Sequence, residues 1–287
     1  MFTLPRRART VSIVAASVAA TVSLTLTGSA LASTGHTHQP HAVPAPPAQP
    51  TSADQIQNVD QVKTAIKAYY GDTKTTTPAP GDPGVTLHQF SPDGAYAAET
   101  SQIADRARAY LRKEAHLAAK QPQRQSTKPA ILFDVDDTTL NTYSYEIYSN
   151  FVYNPATNAS FVNAGSATVF PAVPGMPQLE AAAVKHGYTV FFLTGRPASQ
   201  LDGTEANLTD AGYTWDGGNI YLKDQTKPWL SSCAPTCTTI QYKSLTRKYI
   251  ESQGYDIVAN FGDQFSDLKG GYADKTFKIP NPMYYLP

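Results

Sequence analysis

The chain has 287 residues, enough for one large domain or two small ones with a buried core. Lys plus Arg equals Asp plus Glu, 23 against 23, so no basic face is forced and a dedicated nucleic-acid binder is disfavoured. A hydrophobic content of 41% excludes a wholly disordered chain, and two cysteines exclude a disulfide-built miniprotein.

Arg6, Arg7 and Arg9 precede an apolar, small-residue stretch from Val11 to about Gly28, and Ala30-Leu31-Ala32 follows as a cleavage site. Residues 1–32 therefore read as a secretory signal. Six Ser and Thr residues between Val11 and Gly28 weaken the alternative of a spanning anchor. Removing the signal leaves 20 basic against 23 acidic residues, a net charge of −3. A secreted protein, extracellular or in the cell envelope and free of the membrane, is expected. Residues 33–53 are rich in Ser, Thr, Pro and Ala and read as a disordered linker. It holds His36, His38 and His41, as a solvated tail or a metal-scavenging tract.

Residues 54–287 are expected to form the folded part, beginning with a helical section over 54–125. Ile56, Val59, Val62 and Ile66 recur at helical steps and end at Tyr69-Tyr70-Gly71. Pro78, Pro80 and Pro83 mark 72–92 as a loop. A longer helix is expected over Gly94–Lys120, with Ile103, Ala107, Tyr110, Leu111 and Ala115 inward. These helices can pack on the rest or mediate assembly, and the oligomeric state is left open.

From Pro129 the pattern changes. Short apolar runs at Ala130–Phe133, Thr189–Leu193, Asn219–Leu222, Ile257–Phe261 and Thr276–Ile279 suit buried parallel strands. Helical stretches at about Met176–His186, Ser199–Ala211 and Ile240–Gln253 lie between them. The alternation predicts an α/β fold over 129–287, a Rossmann-like parallel sheet with helices on both faces. Ligands of such sheets bind beyond the carboxyl ends of the strands. Three of the runs are followed there by Asp134, by Thr194-Gly195-Arg196 and by Gly262-Asp263.

In Asp134-Val135-Asp136, an extended chain points both acids to one side. Two carboxylates about 4 Å apart repel by about 4 kcal/mol at an effective dielectric near 20, unless a cation intervenes. Such a pair can divide the labour of a two-step hydrolysis: one acid stays ionised and nucleophilic, the other serves as acid and then base. An Asp-rich turn or cap fits the same residues. Thr194, the Gly195 N–H and Arg196 suit a phosphoryl group, or equally a Thr-capped turn before Pro197. Lys243 opens a helix, where a cation is disfavoured, so it needs an anionic partner or solvent. Asp263 and Asp267 after a Gly turn suit a hard cation such as Mg²⁺, or simply a capped turn.

In this order the four pieces resemble the haloacid dehalogenase superfamily: Asp-x-Asp-x-Thr, then Thr, then Lys, then Gly-Asp-x-x-x-Asp. The flanks at Phe133–Thr138 and Tyr143-Ser144-Tyr145-Glu146 resemble secreted acid phosphatases of the class B and plant type, subfamily IIIB. Thr204, Asn207-Leu208, Gly212-Tyr213, Tyr242-Lys243-Ser244 with Arg247, and Pro280–Tyr285 extend the likeness over about residues 91–285. The resemblance implies Asp134 as nucleophile forming a phosphoaspartate, and Asp136 as acid, then base. It implies Thr194, Gly195 and Lys243 as phosphoryl binders. Mg²⁺ would be held by Asp134, the Asp136 carbonyl and Asp263, with Asp267 orienting a metal-bound water or Lys243. The substrate would be a small phosphomonoester rather than a nucleic-acid polymer. Phosphotransfer to an alcohol, or a non-catalytic phosphate-binding or storage role, remain alternatives; some plant relatives with a storage role lack the nucleophile, which this chain keeps.

A small cap is expected over about 141–174. Its Tyr143, Tyr145, Tyr148, Phe151, Tyr153, Phe161 and Phe170 would stack on a leaving group or form the cap's own core. Trp215 and Trp229 are expected in packing. Cys233 and Cys237 are expected to pair in an exported chain. Asn158 and Asn207 match the glycosylation pattern.

Overall fold

A computed structural model describes residues 48–120 and 127–286. The expected signal and most of the linker lie outside the described residues. The described segment opens with α1 (Val59–Tyr70), capped by the Asn58 side chain and closed by Gly71 in the left-handed conformation. Ile56 and Val59, read as the start of the helix's apolar stripe, are each 62% exposed. The buried stripe begins later, at Ile66 and Tyr70.

The expected loop over 72–92 is instead a hairpin. β1 (Thr73–Ala79) pairs antiparallel with β2 (Asp82–Gln89) around Pro80-Gly81. The prolines do not break it because a two-stranded ribbon has two open edges, where a missing N–H costs nothing. The Thr-rich stretch supplies β-branched residues that suit a strand.

α2 (Ala95–Ala119) runs close to its expected bounds. Next come β3 (Lys128–Phe133), α3 (Tyr143–Tyr148), α4 (Pro155–Asn163), α5 (Met176–Lys185), β4 (Thr189–Pro197) and α6 (Leu201–Asp210). The chain then forms β5 (Ile220–Lys223), α7 (Thr239–Ser252), β6 (Tyr255–Gly262), α8 (Phe265–Leu268) and β7 (Lys275–Lys278). The five later strands form one all-parallel sheet in the order β5-β4-β3-β6-β7.

Strand side chains alternate between two faces, and each face has its own core. Ile131, Phe133 and Phe192 join Ile103, Ala104, Ala107 and Leu111 of α2 and residues of α5 in one cluster. Ala130, Leu132, Phe191 and Leu193 join Tyr242 and Ile250 of α7 in the other. The helices before residue 121 are thus part of the sheet's own core. Tyr70, Tyr96 and Tyr143 stack at 4.4 and 4.5 Å between ring centroids, tying α1 and α2 to the start of α3.

The aromatics between β3 and α5 mostly pack on one another or on the core. Tyr145 and Tyr148 both contact Phe161, and Tyr153 points outward. Trp215 packs on Phe192, and Trp229 stacks on Tyr249 at 3.9 Å. Cys233 and Cys237 form a disulfide. So short a loop contributes about 2 kcal/mol at most. Asn207 is buried and donates to the Phe170 carbonyl at 2.9 Å, so it offers no glycan site in the folded protein. Among the described residues, no helix is long and apolar enough to cross a membrane.

Candidate active site

Three adjacent strands, β4, β3 and β6, deliver polar groups to one end of the sheet. β3 stops at Phe133, and the Asp134 N–H donates to the Phe261 carbonyl of β6 at 2.9 Å. The chain then turns tightly. The Val135 carbonyl accepts from the amides of Thr138, Thr139 and Leu140. Asp137 takes φ 52°, a left-handed geometry that aspartate tolerates better than most residues. This turn separates the two acids by partner. Asp134 is buried and receives the Lys243 ammonium, while the Asp136 side chain is 29% exposed at the mouth.

Lys243 comes from the start of α7, whose N-terminus is closed by a capping box between Thr238 and Gln241. Its ammonium donates to Asp134 and to the Leu193 carbonyl at 2.7 Å, and lies 3.1 Å from Asp267 Oδ1. The anionic partners required by its place on the helix are thus present. Burial alone would lower its pKa, but Asp134 and Asp267 outweigh that and hold it above the ordinary value.

Asp263 follows β6 directly. It accepts from Thr138 Oγ1 at 3.3 Å, Gln264 Nε2 at 2.6 Å and Asn281 Nδ2 at 2.7 Å. Asp267 folds back so that its Oδ2 accepts from the Gln264 N–H at 2.9 Å. A side chain at residue 262 would put its Cβ 2.4 Å from that of Asp267, so only glycine allows the fold-back. Asp134, Asp263 and Asp267 each present an oxygen within 4.8 Å of the others, so the cluster could hold a metal ion. Burial, reinforced by mutual repulsion, pushes Asp134 well up and Asp263 to about 7. Such a set of crowded, buried oxygens suits a hard divalent cation.

Arg196, which the sequence offers to a phosphoryl group or to a capped turn, pairs with Asp136 in this structure. Its Nε lies 3.1 Å from both Asp136 oxygens and its Nη2 2.7 Å from one, a bidentate grip. Its Nη1 donates to Thr204 at 3.0 Å. Thr194 is buried and its hydroxyl accepts from the Arg196 N–H at 3.1 Å. Gly195 stands exposed with open space beside it.

The family model for "HAD superfamily, subfamily IIIB (Acid phosphatase)" matches residues 87–287. The chain belongs to that subfamily. Stem 28 kDa glycoprotein of Glycine max is 36% identical over 165 residues, 55% of this chain and 61% of the relative. Acid phosphatase 1 of Solanum lycopersicum is 36% identical over 159 residues, 54% and 58% of the two chains. Vegetative storage protein 1 of Arabidopsis thaliana is 30% identical over 184 residues, 62% and 63%. The match thus spans less than two thirds of these relatives' length. The class C acid phosphatase of Bacillus anthracis shares the fold at a TM-score of 0.50 and 23% identity, over 65% of this chain and 80% of that one.

Enzymes of the HAD superfamily use a divalent metal, and the carboxylate cluster of this subfamily IIIB chain stands where one could bind. Residues that motif reasoning missed surround it. Asn281, quoted only as part of a similar chain ending, donates to Asp263. Tyr284 donates to Asp137 at 2.8 Å, and Leu286 N–H to Gln264 Oε1 at 2.8 Å, so residues 281–286 strap across the site. Sequence carried no direct sign of these contacts, since the partners lie 18 to 147 positions apart. A cavity of about 610 Å³ lies elsewhere, between β2 and α3, bordered by Lys74, His88 and Tyr148.

Glu146 on α3 is a further buried acid. Burial pushes it to about 7, and the charge of Asp136 adds to the shift. Between about pH 4.5 and 7 the folded protein holds this proton and the unfolded chain has released it, so stability falls as pH rises through that window. In metal-stripped protein, Glu146→Gln should match wild type at about pH 4 and exceed it by up to about 3 kcal/mol near pH 8. Thermal melts across the range check this; a gap that does not widen with pH would contradict it.

Proposed function

We propose that the protein is a secreted, Mg²⁺-dependent acid phosphatase that hydrolyses small phosphomonoesters through a phosphoaspartate. The observation that carries this is the separation of the two acids: Asp134 sits with Lys243 in a buried carboxylate cluster, and Asp136 sits at the mouth on Arg196. The subfamily and the relatives named above support it, as does the disulfide, which suits an oxidising compartment.

In this reading an Asp134 oxygen attacks phosphorus, and the bond from phosphorus to the leaving oxygen breaks. Asp136 gives its proton to that oxygen. It then takes a proton from water, whose oxygen attacks phosphorus, releasing phosphate and restoring Asp134. Thr194, the Gly195 N–H and Lys243 bind the phosphoryl oxygens. Arg196 releases Asp136 as the phosphoryl group, a competing anion, arrives. Asp134, the Asp136 carbonyl and Asp263 would hold the metal, with Asp267 keeping Lys243 aligned. When bound, the metal supplies positive charge against the carboxylates and the phosphoryl oxygens.

The vegetative storage relatives favour a second reading, a binder that turns over poorly. Phosphate release from p-nitrophenyl phosphate, with Mg²⁺ and with EDTA, separates the two. A catalyst releases phosphate only with metal and traps a hydroxylamine-labile phosphoenzyme. A binder does neither. Added alcohol that accepts the phosphoryl group would reveal phosphotransfer.

The strap allows a sharper test of the metal assignment. Asn281→Ala removes one donor to Asp263, and outer partners of a ligand are worth about 10–100-fold in metal affinity. The Mg²⁺ concentration for half-activation should rise by that factor, with the rate at saturating metal much less affected. An unchanged requirement would place the metal away from Asp263.

A further inference from the structure

We infer that Tyr284, on the strap that crosses the site, is a positioning residue for Asp136: through Asp137 it anchors the turn that aims the proton-transferring carboxylate. This rests on the phosphatase reading above and deepens it.

Asp137 stands between Asp136 and Thr138 and is fully buried. Its carboxylate accepts from the Thr142 N–H at 3.0 Å, from the Thr142 hydroxyl and, at 3.4 Å, from Asn141 Nδ2. Its own N–H donates to the Leu140 carbonyl at 2.7 Å. These contacts come from the next five residues, so they close a local loop without tying it to the rest of the site. Tyr284 Oη donates to the same carboxylate at 2.8 Å from 147 positions away. The strap that carries it is fastened in turn to the loop after β6. Asn281 donates to Asp263 at 2.7 Å, Leu286 N–H to Gln264 Oε1 at 2.8 Å, and Gln264 Nε2 to the Tyr284 carbonyl at 3.4 Å. The direct link between the two acid-bearing loops, from Thr138 Oγ1 to Asp263, is longer than the Tyr284 bond, at 3.3 Å.

What the anchor holds is a direction. Asp137 has φ 52°, a sparsely populated conformation that persists where the surroundings fix it. Rotation about that bond swings the peptide joining it to Asp136, so Asp136 turns with it. The Asp136 side chain is itself gripped by Arg196. Once Arg196 lets go as the phosphoryl group arrives, the aim of Asp136 depends on its backbone, and hence on how firmly Asp137 is held.

Proton delivery matters more the poorer the leaving group. p-Nitrophenolate leaves without a proton, whereas propanol needs one. The value of kcat/KM covers the steps up to departure of the alcohol, so its ratio between propyl phosphate and p-nitrophenyl phosphate reports the acid. A positioned acid contributes about 10²–10⁴-fold, and a misplacement of about 1 Å can cost about 10²-fold. Tyr284→Phe removes only the hydroxyl and should lower the ratio about tenfold or more. Asp136→Asn should lower it further. Thr142→Val removes another donor to Asp137 and should shift the ratio the same way, which covers the case in which the phenylalanine variant does not fold. Asn281→Ala at saturating Mg²⁺ frees the strap from Asp263 but not from Asp137, and should keep the wild-type ratio. An equal loss on both esters in Tyr284→Phe, no loss on either, or the same fall in ratio in Asn281→Ala would overturn the assignment alone. Failure of wild type to release phosphate from both esters, or an unchanged ratio in Asp136→Asn, would overturn the phosphatase reading and this assignment with it.

Discussion

Replacing Asp134 with asparagine is expected to lower phosphate release on the order of 10⁴-fold or more, as loss of a covalent nucleophile does. The amide keeps the size of the side chain but cannot form the acyl phosphate. It also removes one negative charge from a cluster whose members repel one another, as the raised pKa values of Asp134 and Asp263 show. The fold should therefore survive, and the phosphoenzyme trap should be empty. Lys243 keeps Asp267 at 3.1 Å and the Leu193 carbonyl at 2.7 Å, so the ammonium is not stranded. A folded Asp134→Asn protein that retains a tenth of the activity would eliminate the covalent mechanism.

The second large effect is structural. Arg247 of α7 is fully buried and donates to three carbonyls, those of Gly271 at 2.8 Å, Asp267 at 2.6 Å and Lys269. Burial lowers its pKa to about 10, with the charges of Asp267 and Glu251 partly offsetting that. Hydrogen bonds from a charged group contribute about 1.5–3 kcal/mol each, and each orphaned buried acceptor costs about as much. Arg247→Ala should therefore destabilise the protein by about 4 kcal/mol or more. The melting temperature should fall by roughly 8–16 °C on the usual scaling for a domain of this size. Because the Asp267 carbonyl is one of the three acceptors, activity should fall even below the melting range. A loss under about 1 kcal/mol would mean that water replaces the guanidinium.

The parallel sheet was legible because strands buried on both faces leave unbroken apolar runs, as in Ala130–Phe133 and Thr189–Leu193. Asp134 and Asp263 were legible for the same reason, since they sit where two of those runs stop. Asp134, Lys243, Asp263 and Asp267 do converge, drawn together by β3, α7 and β6. The hairpin over 73–89 was not legible, because its prolines carry the signal of a loop and an isolated ribbon tolerates them. Arg196 was visible as a residue but not as the partner of Asp136, since 60 positions separate them. The same holds for Asn281 and Tyr284, whose contacts exist only once the chain end has folded over β6.

The stretch from α3 to α4 sits in the chain between β3 and α5 and packs several of its aromatic rings on one another, whereas the carboxylates follow β3 and β6 and the lysine stands on α7. The carboxylate cluster and this aromatic stretch are thus written in separable lengths of sequence. A lineage can rewrite residues 143–163 while leaving the clustered acids and the lysine as they are.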